Sequence, residues 1–139
     1  MAYTTINKQT TYFNTVTYTG TSSSQNITGV GHNPDWVWIK RRNGTRSHRL
    51  FDNVRGVHKS LASNATDAEA DNSYTLTGFI TDGFSLGSDS GSYGVNISGE
   101  TQVAWNWKAG GATGSSNSDG SITSTVSANT TAGFSIVTY

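Results

Sequence analysis

The chain has no cysteine, one proline, one methionine and few charged residues, and each scarcity removes a class of protein. Without cysteine there is no disulfide framework and no thiolate metal site, so packing and ladder hydrogen bonds must hold the fold. Nine basic and nine acidic side chains give a net charge of zero. The basic ones gather mainly in Lys40-Arg41-Arg42 with Arg46 and Arg49, too few and too local for a nucleic-acid groove. No apolar run approaches the length of a membrane span, and Met1-Ala2-Tyr3-Thr4-Thr5-Ile6 has neither the basic nor the apolar region of a signal peptide. Long amphipathic helices are excluded too, because almost every apolar stretch is short, alternating and closed by Gly, Asn, Asp or Ser.

What remains is the inventory of a β-protein. Only 33% of the residues are hydrophobic, yet there are four Trp, six Tyr and five Phe among 139 residues. Such a core is built from aromatics and short branched residues. Ser, Thr and Asn number 52, a polar but uncharged surface of the kind that suits extracellular or virion life. Strands are expected at 12–19, 25–28, 35–41, 48–52, 58–63, 73–79, 83–86, 93–97, 101–108, 121–127 and 133–139. That density of short strands points to an antiparallel β-sandwich. The one helical turn expected lies within 62–72, with Asn64 or Thr66 as N-cap.

In Trp36-Val37-Trp38-Ile39 and Val103-Ala104-Trp105-Asn106-Trp107 both faces of the strand are apolar or aromatic, which places the two segments in the middle of a sheet. Pro34 stands just before the first, where its missing N–H starts a strand without breaking a ladder. Trp36, Trp38, Trp105 and Trp107 are expected to form the core.

One pattern recurs. Phe13-Asn14-Thr15-Val16-Thr17-Tyr18 returns as Phe134-Ser135-Ile136-Val137-Thr138-Tyr139, with Thr-Thr upstream of both. Between them, 110–120 is rich in Gly and Ser and has no apolar periodicity, which reads as a flexible linker. The resulting division is a sandwich domain over 1–109, a linker over 110–120, and the start of a second repeat or an exchanged strand over 121–139.

No catalytic constellation emerges, and the expectation is a non-enzymatic protein with no cofactor and no metal site. His32, His48 and His58 share no metal-ligand spacing. Nothing pairs Asp52, Asp82, Asp89 or Glu100 as glycoside hydrolysis requires. The oxygen-rich run from Asp82 to Gly91 lacks the terminal Glu of a calcium loop, and Asp82-Gly83 reads as a hairpin turn. Five Asn-x-Ser/Thr sequons, at Asn26, Asn43, Asn64, Asn96 and Asn129, follow from composition. The candidates for surface contact are Tyr74, Tyr93, Arg41, Arg42, Arg46 and Arg49, together with Tyr3 and Tyr12.

The N-terminal Met1-Ala2-Tyr3-Thr4-Thr5-Ile6, the Asn26 to Gly31 turn, Pro34-Asp35-Trp36-Val37-Trp38-Ile39-Lys40, Leu50-Phe51-Asp52, Val54-Arg55-Gly56, Asp82-Gly83-Phe84, Val103 to Ala109 and Asp119 to Thr123 occur in one order. Together they resemble a repeat domain of virion proteins of tailed, especially marine, bacteriophages that are described as tail-fibre-like. The resemblance covers nearly the whole chain. It implies a concanavalin-like or jelly-roll sandwich and a structural protein of the virion, assembled in the host cytoplasm. On this reading the protein is part of a tail fibre, appendage or adhesin that serves host attachment. The expected partners are other virion proteins, further copies of the chain (a trimer favoured) and a host surface glycan, with no nucleic acid and no membrane insertion. A carbohydrate-binding module and a capsid decoration protein are the alternatives. Because Met1 leads almost directly into the first strand, no separate anchoring module is expected before it.

Overall fold

A computed structural model describes residues 6–89, 91 and 93–139. A short 3-10 helix (Gln9–Thr11) precedes β1 (Phe13–Thr19), β2 (Gln25–Ile27), β3 (Trp36–Arg41) and β4 (Arg49–Asp52). Next come β5 (Lys59–Leu61), β6 (Ala70–Asp71), β7 (Leu76–Ile80) and β8 (Gly83–Leu86). The chain then forms β9 (Thr101–Trp107), β10 (Ser115–Asn117), β11 (Ser124–Asn129) and β12 (Phe134–Thr138).

All strand pairs are antiparallel. Six strands form one sheet in the order β1-β9-β3-β4-β5-β6, and β2-β8-β7 form a second. The apolar residues of the smaller sheet, Ile27, Leu76, Phe84 and Leu86, pack against Val37, Ile39, Phe51 and Ala104 of the larger one. Val16 and Tyr18 of β1 join from the edge. The fold is an all-β antiparallel sandwich. Within the smaller sheet, β2 and β8 approach closely beside the β7–β8 hairpin, where a Cβ on Gly83 would overlap the Ile27 carbonyl oxygen, so a side chain there would push β2 away.

A third sheet, β10-β11-β12, follows the sandwich in sequence. The 110–120 segment expected as a flexible linker contributes β10 to it. This segment is also tied down: the N–H of Ala109 and of Gly111 donate to Asp35 Oδ2 at 2.8 and 3.3 Å, and the Gly110 N–H donates to Ser127 Oγ at 3.0 Å. Small residues leave this stretch without an apolar rhythm, so its strand is set by hydrogen bonds that no periodicity reports.

Two further expectations differ from what is found. The segment 93–97 alternates like a strand but pairs with none. Side chains take its backbone groups instead: the Tyr18 hydroxyl donates to the Val95 carbonyl at 2.6 Å and Gln102 Nε2 to the Gly94 carbonyl at 2.9 Å. The Val95 N–H donates to Asp89 Oδ2 at 2.7 Å. The segment 62–72 holds turns and β6 rather than a helical turn. Asn64, expected as an N-cap, accepts the His48 N–H at 2.9 Å and so fastens the approach to β4.

Candidate binding face

The six-stranded sheet has two unlike faces. Strand alternation sends Val37, Ile39 and Ala104, all buried, to the side covered by β2-β8-β7. Trp36, Trp38, Trp105 and Trp107 point the other way and remain half-buried. They therefore do not form the core, as their bulk had suggested. Aliphatic side chains together with Phe51 and Phe84 fill the closed interface, whereas the indoles lie on the outer surface of the central strands.

Register assembles the indoles into a block. Trp36 stands opposite Trp107 and Trp38 opposite Trp105, with ring centroids 4.6 and 5.6 Å apart, and Trp36 and Trp38 lie 6.1 Å apart along β3. Phe13 extends the block from β1, 4.8 Å from Trp107. From the third sheet, Phe134 sets its ring 5.8 Å from Trp36 and 6.0 Å from Trp107. These distances suit offset and edge-to-face aromatic pairing.

His48 closes the far end. The Trp38 indole N–H donates to His48 Nδ1 at 2.8 Å, which assigns the ring proton of the neutral imidazole to Nε2. Burial and then the Lys40 charge hold its pKa below the ordinary histidine value. His32 is lowered as well, chiefly by burial, against the opposing effect of the Thr10 carbonyl at its Nδ1.

Strand β12 lines two clefts on this side of the molecule. One, about 320 Å³, is walled by Gln9, Tyr12, Phe13, Trp107 and Phe134. The other, about 440 Å³, is walled by Trp36, Leu50, Leu61 and the stretch Ile136 to Tyr139, with Asp52 and Arg55 at its edge. The Asp52 carboxylate is already occupied by Arg55 and by the Val54 and Arg55 N–H groups. The first cleft thus combines four aromatic rings with an exposed carboxamide, and the second is largely apolar.

The residues proposed for surface contact divide into three groups. Arg49 lies over the Tyr93 ring at 4.5 Å, and Tyr93 meets Tyr74 edge-on at 6.4 Å, so these three form one patch. Arg41 and Arg46 both converge on the buried Glu100, at 3.1 and 3.0 Å, and are committed to that carboxylate. Arg42 is exposed beside them. Tyr12 joins the aromatic cleft, and Tyr3 lies outside the described residues. Sequence reasoning did not assign Phe13, Phe134 or His48 to the aromatic face; the recurrence of Phe ahead of x-x-Val-Thr-Tyr was the one signal that joined the first two.

Each candidate acid has its own donors. Asp82 accepts the Gly29 and Gly31 N–H groups at 3.0 and 2.6 Å, which lower its pKa, and Asp89 accepts those of Gly91 and Val95. Among the described residues, no group of three or more His, Asp or Glu is arranged to hold a metal ion. What the outer face can do chemically is bind: it offers flat apolar rings, few free charges and open clefts.

No curated protein and no solved structure matches this chain. A family profile does match, over residues 8–139, a span that takes in all twelve strands found among the described residues. The chain belongs to the family described as domain of unknown function DUF7483.

Proposed function

We propose that this chain is a non-enzymatic structural protein of a tailed-bacteriophage virion, part of a tail fibre or appendage, that attaches the particle to a glycan on the host surface. The observation that carries the binding role is the half-buried indole block with the cleft of Gln9, Tyr12, Phe13, Trp107 and Phe134 beside it. Sugar rings present apolar C–H faces ringed by hydroxyls. Flat aromatic walls with a carboxamide at the rim match that chemistry, and a volume near 320 Å³ falls in the range of small-ligand sites. The virion placement rests on the ordered motifs from Met1 to Thr123 and on a polar, uncharged surface. A carbohydrate-binding module would use the same cleft, so the two readings differ in location rather than in chemistry.

Two experiments test them separately. Host-envelope polysaccharide titrated into the protein should quench tryptophan fluorescence, and Tyr12→Ala or Gln9→Ala should weaken binding about tenfold with little change in thermal midpoint. A wild-type protein that binds no host glycan would remove the adhesin role. Immunogold labelling of purified particles should decorate tails or appendages; unlabelled particles would remove the virion role.

A further inference from the structure

We infer that Phe134–Tyr139 is a donor strand that takes the place of β1 against β9 of a second copy of this chain. The inference goes beyond the glycan reading and does not depend on it.

The two hexamers match position by position, and Phe13 and Phe134 both lie against Trp107, but the Val and Tyr that follow have opposite surroundings. In β1, Val16 and Tyr18 pack on the core, and the Tyr18 hydroxyl reaches the Val95 carbonyl at 2.6 Å. The corresponding residues of the second hexamer are Val137, 49% exposed, and Tyr139, 95% exposed. These are two of the five large exposed hydrophobics among the described residues. A third, Leu61, lines the same cleft as both. The side chains that fill the sandwich from β1 are thus present a second time, pointing at solvent.

The backbone is equally ready. Among the described residues β12 pairs on one side only, with β11, and its other edge has no strand partner. An open edge with apolar side chains is a template for strand pairing with another chain. On the accepting side, among the described residues, β1 is the outermost strand of the six-stranded sheet and pairs with β9 alone. It can therefore leave without disturbing an interior strand. Exchange of near-identical elements between copies is a low-cost route to association.

One difference fixes the balance between the two strands. Asn14 Nδ2 donates to the Gly29 and Val30 carbonyls at 3.2 and 3.1 Å, and Ser135, at the matching position, is too short to do so. The resident β1 therefore prevails within an isolated molecule, and the donated strand competes once copies are close together.

The chain has no thiol of its own, which permits a direct test. Thr138 matches Thr17, and Thr17 faces Val103 in the β1–β9 register. Full-length Thr138→Cys and full-length Val103→Cys are mixed and oxidised. The expected product is a mixed disulfide dimer, with a yield several-fold above that of Thr138→Cys mixed with a control carrying Thr66→Cys. Adding Asn14→Ser to the acceptor should raise the yield. Adding Val137→Asp to the donor should return it to the control level; Val137 is surface-exposed, so the fold survives. A yield equal to the control, a yield indifferent to Val137→Asp, or dimers of Thr138→Cys alone would overturn the inference. Sedimentation of the cysteine-free chain is independent of the Val103 substitution. Asn14→Ser should raise its dimer fraction and Val137→Asp abolish it, whereas a chain that stays monomeric with and without Asn14→Ser would again overturn the inference.

Discussion

The two faces of β3 are unlike, although they are built by the same six residues. Val37 and Ile39 are 0% and 2% exposed beneath the β2-β8-β7 sheet, whereas Trp36 and Trp38, one residue away in each case, stay half-buried on the other side. A complete apolar layer covers the first pair. The second pair meets Trp105 and Trp107 across the ladder and, from the third sheet, the single ring of Phe134. Side-chain size therefore does not decide which face is the core. The covering layer decides it, and the face left partly uncovered carries the flat rings on which the proposed binding role rests.

If stability resides on the inner face, the largest loss should follow from emptying it. Phe51→Ala or Phe84→Ala removes a fully buried ring from between the two sheets and should lower unfolding free energy by about 3–5 kcal/mol in urea titrations. A smaller loss, about 3 kcal/mol, is expected for Asn96→Ala. The buried Asn96 amide donates to the Gly87 and Ser23 carbonyls at 2.6 and 2.8 Å and accepts the Thr21 N–H at 3.0 Å, and the variant leaves those groups unpaired. Parity between Asn96→Ala and an exposed control such as Ser121→Ala would show that this loop is not part of the closed side.

Phe134→Ala sharpens the comparison from the other direction. It removes the ring that touches Trp36 and Trp107, and a loss of about 1–2 kcal/mol is expected, since each aromatic contact adds only about 0.5–1.5 kcal/mol beyond area. A loss as large as that of Phe51→Ala would mean that the outer face is a second core. In that case the binding role of the indoles would fall with it.

Much of this contrast was legible in the residues, and the reasons it was incomplete are physical. Period-two alternation located β1, β3, β4 and β9 to within a residue or two, and apolar character on both faces of Trp36-Val37-Trp38-Ile39 correctly indicated a central strand. The choice between the faces was not legible, because alternation states that two sides differ without stating which one another sheet will cover. Likewise Asp35 and Ser127 hold Gly110 and Gly111 ahead of β10, and pairing with β11 holds β10 itself, none of which leaves a periodic trace. The 93–97 segment failed for the opposite reason: its alternation is present, but Asp89, Gln102 and Tyr18 satisfy the backbone that a strand would pair. The aromatic face was half visible as four tryptophans, while His48 and Phe134 joined it from elements distant in sequence.

The smallest effect expected is also the most selective, because it titrates the outer face. His48 is held below its ordinary pKa of 6.5 by burial and by Lys40, so its proton binds more weakly in the folded chain than in the unfolded one. A base lowered in this way contributes stability that is fully present above 6.5 and is lost as pH falls through the folded value, beyond which the loss is constant. Protonation at Nδ1 also removes the acceptor for the Trp38 indole N–H, so tryptophan fluorescence should change over the same interval. His32 is lowered in the same direction but touches no indole, so its titration changes stability without that optical signal. Comparing the wild type with His48→Gln therefore separates the two. The variant should lose the fluorescence transition and no more than about 1 kcal/mol of the acid-dependent stability, whereas a fluorescence transition that survives in it would mean that His48 does not anchor Trp38.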